Sequence, residues 1–245
     1  MRKQFVAYIM GGPNFIESLK LLDSEGADYV EIGVPFSDPV ADGPIIKKAG
    51  EKAIQARMTL EKILEQLKIH QKEIKAKTII MTYAHMIEAY GEAAFMQALD
   101  EADVYGLIIP DMPFEYTEQL KARYPQRHVK IISLIAMTAH EARMKQIAEQ
   151  AEGFIYTVTM NQTTGQNAQF HPELKAKIKA IQQYTSIPVM AGFGIRDETQ
   201  VTDIVSVADG VIIGSEIVRR LDEDGIEATR PFLKNMRKVL NETDA

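Results

Sequence analysis

The sequence predicts a (β/α)8 TIM barrel formed as one domain over residues 1–245. Three observations point there: eight short apolar, β-branched runs, amphipathic helical patterns between them, and run starts mostly about 25 residues apart without a dividing linker. The runs are Phe5–Met10, Tyr29–Val34, Thr78–Tyr83, Tyr105–Pro110, Val129–Ile135, Phe154–Thr159, Ile187–Ala191 and Gly210–Gly214. Most are continuously apolar rather than alternating, the pattern of parallel strands covered on both faces. The competing fold is an open doubly wound sheet. That arrangement more often carries a Gly-rich dinucleotide turn after its first strand, and Gly11-Gly12-Pro13 does not supply one.

The helices between the runs have readable starts. Asn14 precedes Phe15, Leu19 and Leu22, with Glu17 spaced for a capping box and Gly26 as the stop. Thr59 precedes Leu60, Ile63, Leu64 and Leu67. Thr138 with Glu141 is spaced to cap the segment around Met144 and Ile147. Asp197 with Gln200 opens a stripe of Val201, Ile204, Val205 and Ala208. The intervals after the second and sixth runs, Pro35–Met58 and Met160–Pro172, are longer than the rest. In a barrel the active site stands on the loops that follow the strands, so a site is expected after the second run and a lid after the sixth.

Composition narrows the function. There are no cysteines, which excludes a disulfide scaffold, a thiolate metal site and a cysteine nucleophile and fits a cytoplasmic location. The formal charge of −6 argues against a nucleic-acid groove. No apolar stretch approaches the roughly 18 residues of a membrane span, and no signal peptide is read at the N-terminus. Lys62, Lys68, Lys72, Lys75 and Lys77 read as a solvated face. The five histidines form no metal-ligand pattern, so no metal is predicted; the twelve methionines read as core filling.

Glu31 is the first candidate catalytic group. It interrupts the apolar run Tyr29–Val34, where a charge is costly unless it is used or neutralised, and no basic residue lies in the strand cores to pair with it. A carboxyl in such a place tends to titrate high, which suits proton transfer near neutral pH. Asp42 follows in Asp42-Gly43-Pro44, either as a second carboxylate of the site or as a turn residue. Gly192-Phe193-Gly194-Ile195 after the seventh run and Gly214-Ser215 after the eighth read as a phosphate site, with the last glycine opening a helix whose free amides face the loop. They predict a phosphorylated substrate. The polar segment Asn161–Asn167 reads as a closing lid whose Thr164 reaches a catalytic carboxylate, or as a plain exposed loop. Asp111, ending the fourth run, reads as a brace between loops.

Taken together these residues resemble the tryptophan synthase α subunit family over nearly the whole chain. The matching blocks are residues 31–44, 105–113, 153–156, 163–165, 192–195 and 208–218, the first being the most specific. The resemblance implies retro-aldol cleavage of indole-3-glycerol phosphate to indole and glyceraldehyde 3-phosphate, a lyase reaction of tryptophan biosynthesis. By motif it makes Glu31 the general acid/base and Asp42 the acceptor of the indole N–H. It places Tyr156 near the glutamate, Thr164 and Gly165 in the lid, and Gly192, Phe193, Gly194, Gly214 and Ser215 around the phosphate. Tyr83 and Ile212 are implied to line the indole pocket, and Pro35 and Asp38 to dock the partner. That partner is a β subunit carrying pyridoxal phosphate in an α2β2 heterotetramer; this chain shows no cofactor site of its own. Three departures stand out. Met160, Gln162 and Thr163 replace the usual arginine, glycine and valine of the lid, Ala84-His85-Met86 follows Tyr83 where Asn-Pro is typical, and Tyr8 stands where phenylalanine is common.

Two other readings remain open from the residues. Another phosphosugar barrel, an isomerase or aldolase, is one, although no run ends in the lysine a Schiff-base aldolase needs. A non-catalytic subunit that only activates its partner is the other, and the Glu31–Asp42 pair speaks against it.

Overall fold

Parallel strands and helices alternate along the chain in the computed structural model, which describes residues 2–158, 170, 172–192 and 194–243. The strands are β1 (Gln4–Met10), β2 (Tyr29–Gly33), β3 (Lys77–Met81), β4 (Gly106–Ile108), β5 (Lys130–Ile131), β6 (Ser133–Ala136), β7 (Ile155–Val158), β8 (Val189–Gly192) and β9 (Gly210–Ile213). The helices are α1 (Phe15–Ser24), α2 (Pro44–Gln55), α3 (Leu60–His70), α4 (Ala84–Tyr90), α5 (Glu92–Glu101), α6 (Phe114–Arg123), α7 (Glu141–Gln150), α8 (Pro172–Gln182), α9 (Glu198–Val205), α10 (Ser215–Glu223) and α11 (Ile226–Glu242).

The hydrogen-bonded order is β5-β4-β3-β2-β1-β9-β8-β7-β6. Its two ends, β5 and β6, are joined by Ile132 alone, so the sheet is nearly closed into a barrel. The predicted fifth run is one stretch of chain that changes partner. β5 pairs with β4, whereas pairing with β7 begins at Ser133 opposite Ile155. The break has a physical cause: the Ile131 N–H donates to the Glu152 carboxylate at 2.8 Å, and the Ile132 N–H to the Leu107 carbonyl at 2.9 Å.

Strand alternation divides the apolar side chains into two cores. Phe95, Leu19, Ile63 and Leu233 belong to the layer between sheet and helices. Val6, Ile79, Ile108, Ile132, Met190 and Ile212 fill the barrel, with Tyr29 and Phe154 beneath them. At the floor the Tyr29 ring lies 5.5 Å from that of Tyr105, and the Lys77 ammonium stands 4.4 Å from the Tyr105 ring centre. Lys62, Lys68, Lys72, Lys75 and Lys77 are all exposed, as expected of a solvated face.

The helix starts agree with expectation at two places and differ at two. Thr59 Oγ1 accepts the Lys62 N–H, and Asp197 Oδ1 accepts the Gln200 N–H at 2.9 Å while Gln200 Oε1 takes the Arg196 N–H at 2.8 Å. Asn14, by contrast, makes no side-chain cap. Its backbone (φ −105°, ψ 23°) is not extended, and only its carbonyl is used, by the Ser18 N–H. Thr138 lies too early, because α7 starts at Glu141 with His140 before it. Gly26 does end α1, at φ +86°, a conformation glycine adopts without penalty.

Carboxylates bind the backbone where strands begin. Asp28 Oδ2 accepts the Phe5 N–H at 2.8 Å, Asp209 Oδ2 that of Val189 at 2.8 Å, and Asp100 Oδ1 that of His128 at 3.1 Å. Asp23 Oδ1 takes both Lys75 and Ala76 N–H groups at 3.0 and 2.7 Å. Asp28 also receives Arg237 of α11 at 2.9 Å, and that buried guanidinium donates on to the Lys3 carbonyl at 2.8 Å. Replacing Asp28→Ala leaves the strand N–H and Arg237 without this acceptor, so urea unfolding should show a loss of about 2–4 kcal/mol.

Candidate active site

Glu31 points into the barrel from the middle of β2, opposite Tyr8 of β1 and Ile79 of β3. It is 1% exposed, and neither carboxyl oxygen has a hydrogen-bond partner among the described residues. Burial, and after it the charge of Asp42, pushes the carboxyl up to about 8. At neutral pH Glu31 is therefore mostly a neutral acid.

Asp42 approaches from the β2–α2 loop and is partly buried. Burial raises its carboxyl as well, but the Tyr83 hydroxyl and the Lys47 ammonium oppose that rise. The two carboxyls thus differ in support: Asp42 has a donor and a cation, and Glu31 has neither among the described residues. Such a division separates a proton donor from an ionised neighbour.

Tyr83 lies just past β3, at the start of α4, and holds the Asp42 loop. Its ring packs on Phe36 with centres 5.0 Å apart, its hydroxyl oxygen accepts the Ala41 N–H at 3.4 Å, and it hydrogen-bonds Asp42. Asp111 fixes the turn beneath it by accepting the Ala84 N–H at 3.0 Å, the bracing role expected of it. Tyr83 thus reaches the site as support for a carboxylate as well as a wall.

Tyr156 enters from β7, where burial and the nearby Glu31 and Asp42 carboxyls raise its phenol well above the ordinary value. Its ring covers Gly192, where a Cβ would sit 2.3 Å from the ring edge. Gly192 is thus needed to admit that ring, a reason different from the phosphate contact expected for it. Gly194 adopts φ +67°, and Gly214 immediately precedes Ser215, the first residue of α10. The first intrahelical bond there runs from the Val218 N–H to the Gly214 carbonyl, which leaves the preceding amides free of helical acceptors. Glu216 in that turn is held by Arg219 and Arg220, both at 2.7 Å, so its charge is neutralised beside the helix start. Ile212 is buried in the barrel one layer below Tyr8.

Of the residues expected to face a partner, Asp38 is exposed, whereas Pro35 is buried within the chain and shapes the loop rather than its surface. Val40, in the same loop, is 66% exposed. Thr164, Gly165 and Phe193 lie outside the described residues, as does the whole Asn161–Asn167 segment expected to form a lid. No group of three or more metal-ligating side chains occurs among the described residues, nor a helix long and apolar enough to cross a membrane. A cavity of about 570 Å³ between α5 and residues 123–128 lies at the opposite end of the barrel from Glu31, and Arg123 and Arg127 at its edge are already paired with Glu92 and Glu152.

Tyr8, noted in the sequence only as standing where phenylalanine is common, points inward beside Glu31; the alternation Val6, Tyr8, Met10 puts this polar-tipped aromatic on the barrel-facing side of β1.

A carboxyl that is neutral when folded and ionised when unfolded loses stability as pH rises between its two titrations. From pH 5 to 8, Glu31 therefore costs the fold an increasing amount. Glu31→Gln should be more thermostable than the parent at pH 8, on the order of 3–4 kcal/mol at most, with the gap closing at pH 5.

The comparisons agree with one another. A family profile described as tryptophan synthase alpha chain matches residues 1–243. The tryptophan synthase alpha chain of Staphylococcus saprophyticus is 56% identical over 241 residues, covering 98% of this chain and 100% of that protein. That of Staphylococcus carnosus is 55% identical, covering 100% and 98%. Among solved structures, tryptophan synthase subunit alpha from Legionella pneumophila superposes with a TM-score of 0.89 at 29% identity, covering 98% of this chain and 93% of the other.

Proposed function

The chain belongs to the tryptophan synthase alpha chain family, and we propose that Glu31 and Asp42 are the groups that carry out its cleavage of indole-3-glycerol phosphate to indole and glyceraldehyde 3-phosphate. The observation that supports this most strongly is a buried carboxyl with no hydrogen-bond partner among the described residues, which burial pushes up to about 8, beside a second carboxyl held by a tyrosine and faced by a lysine.

The steps follow from those two states. Neutral Glu31 gives its proton to indole C3, and the ionised Asp42 accepts the indole N–H and stabilises the positive ring. Glu31, now a carboxylate, takes the proton from the hydroxyl on the carbon attached to the ring. That carbon becomes the aldehyde as its bond to C3 breaks, and the bonding electrons return to the ring to give indole. Glu31 ends protonated, as it began. Tyr156 and Ile212 line the indole side, Tyr83 holds the Asp42 loop, and the Gly194 turn with the Gly214–Ser215 helix start receives the phosphate. Thr164, Gly165 and Phe193 complete this reading as lid and phosphate-loop residues.

The chain works, in this reading, as a cytoplasmic one-domain α subunit beside a β subunit that holds pyridoxal phosphate, within an α2β2 assembly. The exposed Asp38 and Val40 of the β2–α2 loop supply surface next to Asp42 for that contact. A docked partner would then act on a catalytic carboxylate through a few residues of one loop.

Indole release from indole-3-glycerol phosphate tests the assignment, measured alone and with a β subunit added. Release should rise sharply with the partner, and no release from folded protein in either case overturns the reading. Glu31→Gln should lose about 10³-fold or more in kcat. For Asp42→Asn the expected loss is about 10²-fold, and a wild-type rate would return Asp42 to a turn residue. Because only protonated Glu31 starts the reaction, kcat/KM should fall as pH rises through about 8.

A further inference from the structure

Tyr8 stands in register with Glu31 on the neighbouring strand, and both side chains face the barrel. Its ring leans across β2: a Cβ on Gly33 would fall 2.0 Å from the Tyr8 hydroxyl oxygen and 2.6 Å from Cζ. On its other side a Cβ on Gly214 would come 3.4 Å from that of Tyr8. Gly33 on the adjoining strand β2 therefore makes room for this side chain, while Gly214 just past β9 is in ordinary contact with it. Gly33 is two residues beyond Glu31 on the same face of β2, so the hydroxyl occupies the position next to that carboxyl along the barrel face. Glu31 is 1% exposed and has no hydrogen-bond partner among the described residues.

We propose that Tyr8 is a positioning residue for Glu31, its hydroxyl donating a hydrogen bond to that carboxyl whenever it is ionised and so aiming it at the substrate hydroxyl. This rests on the reading of Glu31 as the acid/base. In the reaction the carboxylate forms in the first proton transfer, which is when a buried charge most needs a donor. The other titratable groups facing Glu31 are Asp42 from the β2–α2 loop and Tyr156 from β7; Tyr83 beyond β3 and Lys47 of α2 act on Asp42. Tyr8 is placed among them, feeling Asp42, Glu31, Tyr83 and Tyr156, and burial with these neighbours keeps its phenol neutral. It is therefore available as a donor throughout the working pH range.

Tyr8→Phe removes the hydroxyl and keeps the ring. In the full chain labelled with carbon-13 at glutamate Cδ, the Glu31 resonance, assigned by its absence in Glu31→Gln, should titrate about one pH unit higher in Tyr8→Phe than in the parent. With the β subunit present, kcat should fall roughly tenfold while KM stays within about twofold, the pattern of an interaction made after substrate binds. An unmoved titration, or a loss confined to KM or to thermal stability, overturns the proposal and leaves Tyr8 as a wall of the pocket. Glu31→Gln turning over at the parent rate would instead overturn the acid/base reading, and the titration would still decide whether the hydrogen bond exists.

Discussion

A carboxyl group inside a strand that is covered on both faces, with no cation to pair with it among the described residues, is the constraint around which this site is arranged. Ionised, it would be far more costly there than at the surface. Neutral, it is tolerated, and burial is what keeps it neutral at physiological pH. The surroundings supply phenols rather than ammonium or guanidinium groups. Tyr8 and Tyr156 are neutral, bulky and tipped with a donor, so they exclude water without holding the carboxyl permanently charged. A lysine in their place would fix Glu31 as a carboxylate and remove its ability to give a proton.

The barrel separates two kinds of task along its axis. At the end where strands finish, glycines and loops make room: Gly33 and Gly192 for phenol rings, Gly194 for a turn. The Asp42 loop is held by few groups, the Phe36–Tyr83 contact and the Ala41 and Asp42 hydrogen bonds to Tyr83. At the other end, Asp23, Asp28, Asp100, Glu152 and Asp209 fasten strand starts to neighbouring segments. A loop so lightly tethered is suited to respond to a partner, whereas the other rim is suited to hold its shape.

Much of this was legible in the residues. The parallel strands followed from continuous apolar runs, and Glu31 from being the wrong residue in one of them. The fifth strand divided unexpectedly because a side chain, Glu152, took an N–H that periodicity assigns to the ladder. Asn14 and Thr138 failed as caps for another reason: residue type suggests a cap, but the backbone angle and the helix start decide it. Gly192 looked like a phosphate-loop glycine, and only the position of the Tyr156 ring shows the second demand upon it. Tyr8 stood out only as a departure from the usual phenylalanine; its place beside Glu31 depends on which strand lies next to β1, and pairing of β1 with β2 is a property of the fold.

The carboxylates at the strand starts also change what the overall composition means. An acidic chain is easily taken as one adapted to avoid anions, yet this barrel is proposed to receive a phosphate ester. At the strand starts five acidic residues act as acceptors for backbone amides, and without them a formal charge of −6 would be close to neutrality. Part of the isoelectric point is thus set by how the sheet is hemmed at its entry side. The proposed ligand would meet the opposite side, where the free amides before α10 and the Asp42 carboxyl contribute to the local field.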